Sequence, residues 1–304
     1  MYAKINGTRI YFDVEGMGSV PDGPIMRQKP VCFVLHGGPG GDHTLYKPYL
    51  TPLSEMMQLV YIDNRGSGFS DEGPQSTYTL ENNVKDVEAL REHLGLEKIV
   101  ILGQSYGGIT ALSYAVKYPE RIAGLVLITT SSSHRFLERS YKILEEKGTE
   151  QQKSIAEKAL GGKFESNDEY FKYLEETGSL YSHAIKTAPP PTQEEIRMMQ
   201  DAMARCKVNY QAANEGFREG GFLRSYDVTD QLQKVTSPTL IISGRHDWIA
   251  PVQEAEEMAE KLPDNELVFF EQSSHMVMSD EYELFISTVK EFVDRRLTEK
   301  TFVS

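Results

Sequence analysis

The chain is poor in cysteine, with only Cys32 and Cys206, and in tryptophan, with only Trp248. Two cysteines make no disulfide framework and no metal cluster. Cys32 lies in an apolar strand-like run and Cys206 in a helix-like one. Basic residues are also short: 32 Lys and Arg against 45 Asp and Glu leave a formal net charge of −13. That deficit argues against a nucleic-acid partner, because phosphate binding rests on Lys and Arg, and against docking on anionic membrane surfaces. No apolar run approaches the roughly 18 residues that suggest a membrane span. The first residues, Met1 to Gly7, lack an apolar h-region, so a cytoplasmic setting is expected. Internal repeats, low-complexity segments and a G-x-x-x-x-G-K-[ST] phosphate loop are missing as well. Core material is plentiful. Apolar residues make up 39% of the 304, which is too much for a disordered chain and enough for a large core without metals or disulfides.

Short apolar runs punctuate the first half: Val31 to Leu35, Leu59 to Ile62, Ile99 to Leu102 and Gly124 to Ile128. Each is bounded by turn residues and reads as a buried strand of a parallel sheet. Thr8 to Val14 alternates like a half-buried strand. Between the runs, Leu80, Val84, Val87, Leu90 and Leu94 recur at helical spacing with Gly95 as a stop, and Ile109, Leu112, Ala115 and Val116 form a second apolar face. From His134 to about Arg224 the chain is polar and helix-prone, interrupted at Pro189–Pro191. Thr192 and Glu195 resemble a capping box there. The alternation then resumes with strands at Thr239 to Ile242 and Glu266 to Phe270. Helix faces follow at Val252 to Leu262 and Leu284 to Val293. The pattern predicts an α/β fold with a doubly wound, mostly parallel sheet. Residues 1–133 and 225–304 would form the core, and 134–224 a helical insertion.

The sharpest chemical signal is Gly103-Gln104-Ser105-Tyr106-Gly107-Gly108, between a strand and a helix. A serine there sits on a strained elbow at the end of the sheet, with the free N–H groups and positive end of a helix beside it. Those features suit a nucleophile. Its base must follow in the chain, and of seven histidines His275 lies in a loop leaving the last strand at the sheet's carboxyl edge. Asp247, just past the strand ending at Ile242, is placed to hold the His275 tautomer, with Asp227 and Asp280 as alternatives. Glycines in His36-Gly37-Gly38-Pro39-Gly40 let backbone N–H groups face a substrate oxygen. One of them, with the N–H of Tyr106, would make an oxyanion hole. This chemistry needs no metal and no organic cofactor.

With Asp63-Asn64-Arg65-Gly66-Ser67-Gly68-Phe69-Ser70, these motifs resemble the proline iminopeptidase branch of the α/β-hydrolases. The resemblance covers about residues 8–130 and 230–298, and the insertion weakly. It implies an α/β-hydrolase fold with a helical cap and a serine aminopeptidase that releases an N-terminal proline through an acyl-enzyme. Ser105, Asp247 and His275 would be the triad, and Gly38 and Tyr106 the oxyanion donors. The family reads the free amine with cap carboxylates. Asn214-Glu215-Gly216-Phe217 is similar to its cap motif, which makes Glu215 the candidate and Glu219 the reserve. Where some members carry a second acid after the triad aspartate, this chain has Trp248, which offers a cation–π face instead. The expected partner is a small molecule or short peptide, not a nucleic acid or a membrane, and the oligomeric state stays open. An esterase or lactonase with the same machinery is the alternative.

Overall fold

The computed structural model describes residues 1–187, 190 and 192–298. Its strands are β1 (Tyr2–Ile5), β2 (Thr8–Glu15), β3 (Ser19–Asp22), β4 (Ile25–Gln28), β5 (Val31–Leu35), β6 (Gln58–Ile62), β7 (Ile99–Gln104), β8 (Ile122–Ile128), β9 (Thr239–Gly244) and β10 (Asn265–Phe270). Its helices are α1 (Lys47–Leu50), α2 (Leu80–His93), α3 (Tyr106–Lys117), α4 (Phe136–Lys147), α5 (Glu150–Leu160), α6 (Asn167–Tyr181), α7 (Ala184–Thr187), α8 (Gln193–Arg205), α9 (Tyr210–Phe217), α10 (Val252–Lys261), α11 (Val277–Asp280) and α12 (Tyr282–Leu297).

Eight strands form one sheet in the order β1-β2-β6-β5-β7-β8-β9-β10. The pairings from β6 through β10 are parallel, while β1 and β2 join antiparallel. The central strands are apolar on both faces, and their side chains divide by parity. Phe33, Ile99, Ile101 and Leu125 pack under Val84, Val87 and Leu90 of α2 and Ala111 and Leu112 of α3. Val34, Val100, Leu102 and Val126 pack on the other face under Phe285, Val289 and Phe292 of α12. This two-sided burial explains why the strands read as continuous apolar runs. The chain winds outward from β5 in both directions, β6 to one side and β7 to the other, so a crevice opens at their carboxyl ends.

Helices α4 to α9 stand between β8 and β9, and no strand occurs among the described residues there. They carry their own core, in which Phe136, Leu144, Leu160, Tyr170 and Tyr173 meet Tyr106 and Trp248. Helix α8 begins directly after Thr192, as expected; the Glu195 side chain, Pro189 and Pro191 lie outside the described residues. Cys206 follows the last residue of α8 rather than lying within it, and both thiols are free and buried. No helix among the described residues is long and apolar enough to cross a membrane.

Helix α4 is tied to the core through Arg139, which bonds Glu254 of α10 at 2.5 Å and also Glu257. Glu254 is buried, and its second oxygen has no partner among the described residues. Burial outweighs Arg139 and pushes its carboxyl up to about 7. The folded state therefore binds a proton that the unfolded chain releases near pH 4.5. Stability is fully present below that pH and falls as the pH rises through about 7. The loss is on the order of 3 kcal/mol. Urea midpoints at pH 5 and pH 8 should fall more for the wild type than for Glu254→Gln; equal pH dependence would refute this account.

Candidate active site

Ser105 connects β7 to α3 with φ 55° and ψ −121°, a conformation costing on the order of 1–3 kcal/mol for a residue with a side chain. Its backbone holds the strain: Ser105 N–H donates to Ile128 O at 3.0 Å, and its carbonyl accepts from Gly108 N–H at 2.9 Å and Thr130 Oγ1 at 2.7 Å. The flanking glycines are required by close approach. A Cβ on Gly107 would stand 2.0 Å from Leu35 O, and one on Gly103 would stand 2.5 Å from Gly107 O. The elbow can form only where these backbones touch.

Tyr106 supplies the first N–H of α3, which by its position has no intrahelical acceptor. The loop after β5 faces the same edge. There Gly37 N–H is already donated to Tyr46 Oη at 2.7 Å, which favours Gly38 over Gly37 as a donor to a ligand. Buried His36 pins this loop to the next. Its Nε2 accepts from Asn64 N–H at 3.1 Å, so Nδ1 carries the proton and donates to Gly37 O at 2.7 Å. The Asp63 to Ser70 segment is a structural brace. Asp63 accepts from His43 N–H and Nδ1 and from Phe69 N–H, and Arg65 pairs in bidentate fashion with Asp86.

Asp247 and His275, after β9 and β10, meet in a buried hydrogen bond, Nδ1 to Oδ2, at 2.8 Å. The other Asp247 oxygen accepts from Ile249 N–H at 2.8 Å and Ala250 N–H at 3.1 Å. The alternatives are engaged elsewhere: Asp227 with Arg135 and Thr229, Asp280 with Ser182, His183 and Ser274. With Nδ1 as donor, His275 presents Nε2 as a base. The carbonyl of His275 accepts from Gln104 Nε2, which brings the histidine loop beside the residue preceding Ser105. A serine on an elbow, an imidazole oriented by a carboxylate, and N–H groups at one sheet edge together can run acyl transfer.

The family model for the alpha/beta hydrolase fold matches residues 30–282. The chain is 33% identical to the proline iminopeptidase of Saccharolobus solfataricus, over 97% of this chain and 92% of that protein. It belongs to the proline iminopeptidase family of α/β-hydrolases. Among solved structures, the proline iminopeptidase of Mycobacterium smegmatis shares its fold, with a TM-score of 0.72, 22% identity, and coverage of 97% of both chains. So does an esterase from Exiguobacterium antarcticum, with a TM-score of 0.70, 20% identity, and coverage of 96% of this chain and 98% of that one. As a member of this family, the protein is a hydrolase.

The two residues that the family resemblance singled out have definite surroundings. Glu215, on α9, is largely shielded and pairs with Arg218, whose Nη2 and Nε lie 2.8 and 3.0 Å from Oε2. Trp248 is buried, and its Nε1 has no partner among the described residues. Its ring meets Tyr181 edge-on at 5.5 Å, and Tyr181 meets the His275 ring the same way at 5.3 Å. Sequence reading missed Tyr181, Tyr46, Gln104 and Thr129. Of these, only Gln104 had a signal, its place within the elbow motif.

Proposed function

We propose that the protein is a serine aminopeptidase that releases an N-terminal proline, or a related aminoacyl group, from an amide or short peptide. The observation that carries this reading is the buried Asp247–His275 hydrogen bond at the same sheet edge as the Ser105 elbow. In this reading His275 Nε2 takes the Ser105 proton as Oγ attacks the carbonyl. The N–H groups of Gly38 and Tyr106 hold the oxyanion, and His275 returns the proton to the leaving amine. Water then attacks the acyl-enzyme by the same route and releases the acid. Residues 134–224 serve as the cap, and Glu215 and Trp248 receive the free amine. The substrate is taken from the relatives' names, and the chemistry from the residues present. A cytoplasmic setting accords with the two free thiols.

One observation favours the ester or lactone alternative: Glu215 is already neutralised by Arg218, so an incoming ammonium must share it. Kinetics of Glu215→Gln on prolyl p-nitroanilide and on a p-nitrophenyl ester test the two readings together. The peptidase reading expects a loss of about 10- to 100-fold in kcat/KM on the anilide and almost none on the ester. Equal losses on both would make Glu215 structural. Good ester turnover with no anilide turnover by the wild type would establish the esterase.

A further inference from the structure

Gln104 closes β7 one residue before Ser105, is 2% exposed, and has no part in the acyl-transfer chemistry above. Its Oε1 accepts from Tyr46 Oη at 2.7 Å, and Tyr46 Oη accepts from Gly37 N–H. On the other side, Gln104 Nε2 donates to Thr129 Oγ1 at 3.0 Å and to the His275 carbonyl at 3.3 Å. Thr129 Oγ1 donates to that same carbonyl at 3.0 Å. The chemistry of the groups sets the direction of the whole chain. Burial pushes the Tyr46 phenol up, so it keeps its single proton for Gln104 Oε1, and a carbonyl such as that of His275 can only accept. The bond dipoles therefore run head to tail from the Gly37 loop to the histidine loop and reinforce one another.

Thr129 supplies an independent sign that this arrangement is imposed. Its φ is 43°, a left-handed conformation that a β-branched residue rarely adopts. Its N–H is secured to Ile242 O at 2.8 Å, and its hydroxyl is thereby held on the His275 carbonyl. Strain of this kind persists where the surrounding structure over-determines it.

We propose that Gln104 is a positioning residue that sets the spacing of the oxyanion loop, the nucleophile and the base, with Tyr46 and Thr129 as its two arms. The proposal rests on the serine-hydrolase reading. Asp247 bonds the His275 ring at Nδ1 and Tyr181 packs against it edge-on, but neither contact fixes the backbone from which the ring hangs. The two bonds to the His275 carbonyl fix its backbone end. The Tyr46 link holds Gly37, the neighbour of the proposed donor Gly38, at a set distance from the strand that carries Ser105. Substrate binding does not depend on this spacing, but the reacting geometry does.

The test compares wild type, Gln104→Met, Thr129→Val and the double variant. It measures the rate of Ser105 labelling by a fluorophosphonate, kcat and KM, and the melting temperature. Gln104→Met should lower both the labelling rate and kcat about 100-fold, the scale of a displacement near 1 Å, with KM nearly unchanged. The losses should not simply add: each single variant leaves one donor on the His275 carbonyl, and the double variant, which leaves none, should lose more than the product of the two single losses. Gln104→Glu, which keeps the acceptor for Tyr46 but has no donor for His275, should not restore the rate. A melting temperature that falls while kcat per folded enzyme stays intact would overturn the proposal. So would strictly additive losses. If Gln104→Met does not fold, Thr129→Val and Tyr46→Phe each remove one hydroxyl and should each slow labelling about tenfold with KM unchanged. No slowing in either would refute the positioning role. A wild type that is not labelled at Ser105 overturns the serine-hydrolase reading itself, whereas equal labelling of wild type and Gln104→Met overturns the positioning role alone.

Discussion

Ser105→Ala is expected to lower kcat about a million-fold while the folded protein survives. In the proposed mechanism the loss is large because the substitution removes the attacking atom, and neither His275 nor the oxyanion donors can act on a nucleophile that is absent. What remains over the uncatalysed rate would come from the N–H groups at Gly38 and Tyr106 and from binding. The fold should tolerate the change for a specific reason. The bonds to Ile128, Gly108 and Thr130 that hold the strained turn all run through the Ser105 backbone, and alanine keeps every one of them. Steady-state kinetics on the preferred substrate, with a melting curve as control, check both halves. A variant retaining a few per cent of wild-type kcat would remove Ser105 from the nucleophile's role, and with it the acyl-enzyme mechanism.

Much of this architecture was legible because its causes are local. Strands β5 to β9 announce themselves as apolar runs because both faces of the sheet are covered, so every residue is under the same pressure to be apolar. The elbow was legible because Gly103 and Gly107 must lack a Cβ for the backbones to touch, a constraint written at fixed spacing. Strand β1 and the β3–β4 hairpin went unread. The hairpin is mostly exposed, and β1 has only four residues, so neither has an apolar pattern long enough to register. The hydrogen-bond chain through Gln104 was illegible for a different reason. Its partners lie 58, 25 and 171 residues away, and nothing in a local window links Tyr46 or Thr129 to His275. The Glu215–Arg218 pair is the converse case, since a spacing of three on neighbouring turns could have been read as an ion pair from the sequence.

Asp247→Asn is expected to cost about 10⁴-fold in kcat without unfolding the protein, and the geometry says why so small a change is so damaging. Asp247 accepts at both oxygens: Oδ1 takes the N–H groups of Ile249 and Ala250, and Oδ2 takes His275 Nδ1–H. Asparagine has one acceptor end and one donor end. Its NH2 cannot face the two backbone N–H donors, so its oxygen takes their side and the NH2 turns toward His275. The imidazole must then accept at Nδ1 and carry its proton on Nε2. In the proposed mechanism a proton then stands where the lone pair that receives the Ser105 proton should be, so the base is blocked even though every heavy atom keeps its place. The bonds to Ile249 and Ala250 survive, and the melting temperature should change little. Asp280→Asn provides the contrast. Asp280 binds Ser182, His183 and Ser274 and makes no bond to the His275 ring, so its loss should lower stability far more than kcat per folded molecule. If Asp247→Asn stays within about tenfold of the wild type, the carboxylate does not set the His275 tautomer, and the acid of the triad must be sought elsewhere.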